Sequence, residues 1–407
     1  MFNDRYHIVT LLTGFFLSIG VLHAQPDSSF YHRNASDKIH QEGKQKKRME
    51  WFSNVKKDST IGNTEMHRWN EFTRMQERAL NRQSATPAAD WKCNGPTNQG
   101  GRMISYAINP LNYNEVWAGA ATGGLWKSTN NGENWQAMTD NIPSCAIGAI
   151  AIHPQNPNIM LVGTGEGYLL ATGFKYGIGV LKSIDAGLTW TLTNLNLPDS
   201  LQFACLNMEW DPVQTNRVYL ATTYGVFVST DAGDNWAMTL SGTASSLVIN
   251  PQDPSKIYVA LQDYGSSNGG IYRSSNSGNT WQLLTTGLPA SSLIGFTCLT
   301  LCDSFPDVIY AGVSYPAAHA NIGKLQGLYK TTDGGNTWTL MPFQYDFYCY
   351  AVPNDNICQG WYANVIKVSH TDPNIVYAAG IYTYRSTNGG NTWQYWDYSP
   401  QENPPYT

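Results

Sequence analysis

An eight-residue pattern, Ser/Thr-x-Asp/Asn-x-Gly-x-Thr/Asn-Trp, recurs six times between residues 128 and 393. The copies are STNNGENW (128–135), SIDAGLTW (183–190), STDAGDNW (229–236), SSNSGNTW (274–281), TTDGGNTW (331–338) and STNGGNTW (386–393). Their closing tryptophans, Trp135, Trp190, Trp236, Trp281, Trp338 and Trp393, stand 55, 46, 45, 57 and 55 residues apart. A period of about 40–50 residues is that of one four-stranded propeller blade.

Each octet carries similar text ahead of it. A strand-like run ends at a Pro turn, as in ISYAINP (104–110), AIAIHP (149–154) and SLVINP (246–251). A second run follows (IMLVGTG, RVYLATT, KIYVALQ, VIYAGVS), then a short third run into the octet (GLWKS, GVFVS, GIYRS, GLYKT) and a fourth from the tryptophan. Four strands per unit, A to D, predict an all-β propeller of about six four-stranded blades over residues 91–407. With 14% charged and 13% aromatic residues, 37 Gly and 20 Pro, the composition suits strands and turns rather than a helical bundle.

The octet fits a tight C–D hairpin. Its third residue (Asn130, Asp185, Asp231, Asn276, Asp333, Asn388) can accept hydrogen bonds from turn N–H groups. Its glycine supplies a positive φ, and its tryptophan covers the turn and packs between blades.

These octets resemble the Asp-box, or BNR repeat, of sialidase-like and sortilin-like β-propellers. The stretches GPTNQGGRMISYAINP (95–110), GAATGGLWKST (119–129) and GTGEGYLLATGFKYGIGVLKS (163–183) resemble secreted bacterial members that often carry a C-terminal sorting tail. The resemblance covers residues 91–407 and implies the fold more than the activity, because the box is a structural turn. Trp91-Lys-Cys-Asn-Gly-Pro precedes the first unit and, by the same resemblance, could be an outer closing strand. Six blades closing directly and a truncated larger ring both stay open.

The N-terminal region differs. Residues 1–90 hold 13 Lys+Arg and 10 Asp+Glu, against 12 and 20 in residues 91–407. The apolar run Ile8 to Leu22 has signal-peptide length, with cleavage expected after Ala24. It is short for a membrane span, and no other stretch is a candidate. Residues 25–90 read as a polar lead-in with one amphipathic helix over Thr64 to Gln83, marked by Met66, Trp69, Phe72, Met75 and Leu80. The run Lys44, Lys46, Lys47, Arg48 reads as a solvated segment. Net charge of −5 argues against nucleic acid as a partner. The expected location is secreted or cell-surface, where the seven cysteines meet an oxidising environment. Cys349 and Cys358 flank one loop and are the disulfide candidates; Cys145, Cys205 and Cys298 open strand-like runs as small buried hydrophobes. No cysteine or histidine spacing suits a metal, and no cofactor is expected.

In a propeller the C–D hairpins share one face, and the B–C and D–A connections share the other. The longest B–C loops run Glu166 to Tyr176, Asp263 to Gly270 and Ser314 to Gln326, joined by the aromatic D–A stretch 342–360. The ligand candidates on this face are Arg102, Glu166, Tyr168, Tyr176, Asp263, Tyr264, Tyr315, Tyr348 and Trp361, with Tyr345, Asp346 and Asp355 nearby. Aromatic rings beside carboxylates suit sugars and peptide segments alike. His153 and His370 fall in A–B turns, where a surface role is expected.

A sialidase needs an arginine cluster, and only Arg102 is free of a repeat or A–B-turn position; Arg217 lies in such a turn and Arg273 and Arg385 are repeat positions. A glucanase needs two carboxylates across the face. That branch carries an Asp just before Gly-Gly in its first blade; here the stretch is Ala120-Ala121-Thr122-Gly123-Gly124. Glu166 and Asp263 are the remaining pair. The sequence therefore favours a non-catalytic binding scaffold for an extracellular protein or glycan. A glycoside hydrolase of the Asp-box type is the first alternative, and an architectural module of a larger adhesin the second.

Overall fold

The computed structural model describes residues 64–80, 101–140, 142, 146–167, 175–195, 203–263, 268–349 and 358–396. Six four-stranded antiparallel sheets follow one another along the chain, each a simple up-and-down meander. Blade 1 comprises β1 (Met103–Asn109), β2 (Asn112–Ala120), β3 (Leu125–Ser128) and β4 (Gln136–Ala137). Blade 2 comprises β5 (Ile147–Ile152), β6 (Met160–Thr164), β7 (Val180–Ser183) and β8 (Thr191–Leu192). Blade 3 runs β9 (Cys205–Trp210), β10 (Val218–Thr222), β11 (Gly225–Ser229) and β12 (Ala237–Ser241). Blade 4 runs β13 (Thr243–Ile249), β14 (Ile257–Gln262), β15 (Gly270–Ser274) and β16 (Gln282–Leu284). Blade 5 has β17 (Thr297–Cys302), β18 (Phe305–Ser314), β19 (Leu325–Thr331) and β20 (Thr339–Leu340). Blade 6 has β21 (Val365–Val368), β22 (Val376–Ala379), β23 (Thr383–Ser386) and β24 (Gln394–Tyr395). A helix, α1 (Thr64–Leu80), precedes them and rests Trp69 against the core between blades 1 and 2. The apolar run before Ala24 lies outside the described residues. Among those described, no helix is long and apolar enough to cross a membrane.

The octets all fold alike. In the second, Ser183 Oγ donates to Asp185 Oδ1 (2.7 Å) and accepts from Gly187 N (2.8 Å), while Thr189 N donates to Asp185 Oδ1 (2.9 Å). Equivalent bonds tie the turns at Asn130, Asp231, Asn276, Asp333 and Asn388. Two residues per turn are left-handed. The glycine is one, with φ of 80–89° across the six turns. The residue before it is the other, at 57–68°, and it is Ala186 and Ala232 in two turns. The indole N–H groups of Trp135, Trp236 and Trp393 close the loop on the glycine carbonyl three residues back.

The core lies between blades. Strand A residues alternate, one set facing the preceding blade and the other the following blade, so each seam receives apolar groups from both sides. Five apolar clusters fill the seams 1/2, 2/3, 3/4, 4/5 and 5/6. Strand B sends one fully buried side chain into each seam: Trp117, Leu161, Tyr219, Tyr258 and Tyr310. Each such burial is worth about 1.5–3 kcal/mol. Gly148 is required at seam 2/3, since a Cβ there would sit 1.9 Å from the Cys205 carbonyl oxygen.

The A–B turns are capped by a single side chain at the end of strand A. Asn109, Asp211 and Asn250 accept from N–H groups two or three residues on. His153 does the same through Nδ1, is 9% exposed, and packs on Trp210; it caps a turn from inside rather than serving at the surface. Its pKa is lowered by desolvation. His370 pairs with Asp303 at 2.5 Å.

Candidate active site on the loop face

The hairpin octets occupy one face, so strand A beginnings and strand B ends open on the other. Arg102 precedes β1, Glu166 follows β6, and Tyr362 lies just before β21. Topology thus brings blades 1, 2 and 6 together at the axial mouth. Arg102 Nη2 donates to Glu166 Oε2 at 2.6 Å, and its guanidinium lies 5.3 Å from the centre of the Tyr362 ring. Glu166 is fully buried, whereas the Arg102 side chain is 40% exposed. Lys175 pairs backbone with Glu166 (N–H to O at 2.7 and 3.2 Å), bringing a second cation close. Desolvation raises the Glu166 pKa, and the charges of Arg102 and Lys175 hold the rise in check.

Asp263 follows β14, two blades away, and is 5% exposed. Its backbone N–H donates to Ile294 O across seam 4/5 (2.9 Å). A shallow pocket of about 360 Å³ adjoins it, lined by Thr223, Tyr224, Gln262, Asn268 and the Ser241–Thr243 turn. Tyr224 is 44% exposed there.

The other sequence candidates divide. Tyr315 stacks on His319 (4.5 Å between ring centres), and Trp361 Nε1 donates to Cys358 O (3.0 Å). Tyr176 is partly buried beside the Glu166–Lys175 bridge. Tyr345 is 41% exposed and stacks on Tyr384. Tyr348 is fully buried, its hydroxyl hydrogen-bonded to Asn364, and so belongs to the core of seam 5/6. The Asp346 carboxylate accepts from Leu325 N and Tyr348 N, serving as a loop cap; burial raises its pKa. A Cys349–Cys358 disulfide lies beside Asp346. Its bonded sulfurs offer no thiolate for a metal. Tyr168, Tyr264, Asp355, Cys93 and Cys145 lie outside the described residues. Sequence reasoning missed Lys175, Tyr362 and Tyr224; the first two stand next to Tyr176 and Trp361, which it did select.

No protein-family model matches the chain. A xyloglucanase from a Paenibacillus species is 32% identical over 173 residues, which is 33% of this chain and 16% of the relative. A xyloglucanase from Hypocrea jecorina is 27% identical over 274 residues, covering 64% of this chain and 28% of that protein. The crystal structure of a GH74 enzyme from Niastella koreensis superposes with a TM-score of 0.55 at 19% identity, covering 73% of this chain and 45% of the other, a likeness of fold. The chain therefore spans less than a third of the length of these two curated relatives. These relatives overturn the expectation of a non-catalytic scaffold. That expectation rested on the missing arginine cluster and on the lack of an Asp before Gly123-Gly124, whereas the relatives are named xyloglucanases and favour the hydrolase alternative.

Proposed function

We propose that the chain is an Asp-box propeller of a secreted glycoside hydrolase that cleaves a β-glucan polysaccharide of the xyloglucan class. Its likeness to two curated xyloglucanases carries this reading. The loop face supplies compatible chemistry. In the stretch Ala120-Ala121-Thr122, where the glucanase resemblance places an Asp just before Gly123-Gly124, no side chain is a carboxyl. Glu166 takes the acid role, because desolvation favours its protonated form. Arg102, partly exposed, swings toward solvent as sugar enters. The Glu166 carboxyl then gives its proton to the glycosidic oxygen while the C–O bond breaks. Asp263 takes a proton from the water that attacks the anomeric carbon, and proton exchange with solvent resets both groups. Exposed rings, Tyr224 and Tyr345 among them, give stacking surfaces for glucosyl units.

The test is reducing-end release from xyloglucan, with cellulose and mixed-linkage glucan in parallel. Glu166→Gln and Asp263→Asn should each lower kcat about 10²- to 10⁴-fold. Absence of reducing-end release from all three substrates, or wild-type turnover in both variants, refutes the proposal.

A further inference from the structure

A single nitrogen of Arg102 meets both oxygens of Glu166. Nη2 donates to Oε2 at 2.6 Å and stands 2.5 Å from Oε1, which receives no well-aligned hydrogen bond. Arginine often grips a carboxylate with a two-nitrogen fork, and a fork fixes its own geometry. Here the guanidinium needs another hold. The Arg102 backbone is anchored, since its carbonyl accepts from Ala121 N at 2.9 Å, but the side chain is 40% exposed on a long flexible stem. Among the described residues, the ring that meets it is Tyr362, 5.3 Å from guanidinium carbon to ring centre.

Tyr362 is itself held firmly. Gln359 O accepts from Tyr362 N at 2.7 Å and from Ala363 N at 2.6 Å. Gln359 N donates to Tyr348 O and Gly360 N to Gly323 O, each at 2.8 Å. These bonds clamp the turn 358–363 against blade 5. The close approach needs glycine on both sides: a Cβ on Gly360 would sit 2.5 Å from Gly323 O, and one on Gly323 would sit 2.6 Å from Trp361 Cδ1. Trp361 Nε1 donates to Cys358 O at 3.0 Å, and Cys358 is tied to Cys349. A mobile arginine thus meets a ring on a fixed turn.

We infer that Tyr362 is a positioning residue for Glu166: its ring holds the Arg102 guanidinium at the carboxylate, so that Glu166 keeps its charge until Arg102 is displaced. The ionisable groups that face Glu166 among the described residues are Arg102 from blade 1, Lys175 from its own loop and Tyr362 from the turn before β21. Burial raises the Tyr362 hydroxyl pKa, so the phenol stays neutral and acts on the guanidinium through its π face. Only the kinetic consequence rests on the proposed acid role of Glu166.

The probe is the full chain labelled with glutamate carrying carbon-13 at the side-chain carboxyl; the Glu166 signal is the one lost in Glu166→Gln. Tyr362→Leu and Tyr362→Met keep most of the bulk and lose the π face, and each should raise the titration midpoint of Glu166 by about half to one pH unit. Tyr362→Phe keeps the face and should move it less than half as far. In the Arg102→Met background Tyr362→Leu should add no shift, because the tyrosine acts through the arginine. An unchanged titration in the Leu and Met variants overturns the inference. So does a lowered midpoint, which would mean that the ring only keeps water from Glu166, and so does a full shift in the Arg102→Met background. In an active hydrolase the alkaline limb of the kcat/KM profile should move with the titration. Absence of hydrolysis by the wild-type chain would refute the proposed enzyme while the carboxyl titration still decides the role of Tyr362.

Discussion

Replacing Arg102 by Met isolates what holds Glu166 in place. Glu166 is fully buried and pairs with Arg102 at 2.6 Å, while Lys175 is the weaker second cation. Without Arg102, the carboxylate at pH 8 either stays charged in a dry site or takes up a proton. Protonating a carboxyl of ordinary pKa 4.5 at pH 8 costs about 4.8 kcal/mol, which caps the loss. Lys175 and the partial exposure of Arg102 reduce it, so Arg102→Met should lose about 2–3 kcal/mol at pH 8. The pH dependence has a definite sign. A raised carboxyl pKa means that the folded state binds the proton more tightly than the unfolded chain. Stability therefore falls as pH rises from 4.5 through the raised value, and the variant widens that window. Near pH 4.5 its deficit should shrink below about 1 kcal/mol. Urea denaturation at pH 4.5, 6 and 8 measures this, and Arg102→Met with Glu166→Gln should lose the pH dependence. An equal deficit at every pH would mean that Arg102 acts by packing on Tyr362, and the electrostatic account of the site would fail. In the proposed enzyme the same variant should move the alkaline limb of the pH–rate profile upward, since that limb follows the acid.

Four further outcomes are expected. Ala186→Gly and Ala232→Gly should each stabilise by about 0.5–1 kcal/mol in thermal denaturation, because both alanines hold φ near 57–58°. The octet hydrogen bonds depress Asp185 and Asp333 to about 2, so their contribution is complete above the usual carboxyl pKa and is lost as pH falls through 2; Asp185→Asn with Asp333→Asn should flatten that acid limb. Cys349→Ser with Cys358→Ser opens a nine-residue separation and should cost about 2–3 kcal/mol, read by urea denaturation of oxidised wild type against the variant. Glu209, exposed on β9, is pushed up to about 7 by desolvation against the opposing charge of Lys367, so stability should decline as pH rises from 4.5 through 7 and Glu209→Gln should remove the decline.

The architecture was legible because the octet is a local signal. Its hydroxyl, acid or amide, and glycine satisfy one another within eight residues, so no distant contact is needed to recognise it. The left-handed residue before the glycine escaped notice because Ala186 and Ala232 do not advertise a positive φ. The site was legible only in part. Arg102 and Glu166 were selected separately, but their pairing depends on which blades meet at the mouth, 64 residues apart in sequence. Tyr348 shows the opposite failure. A tyrosine in a long aromatic loop reads as a recognition residue, yet its ring fills seam 5/6 and its hydroxyl meets Asn364. The hydrolase reading stood only as the first alternative because the repeats record hairpins, and hairpins are indifferent to what the opposite face does.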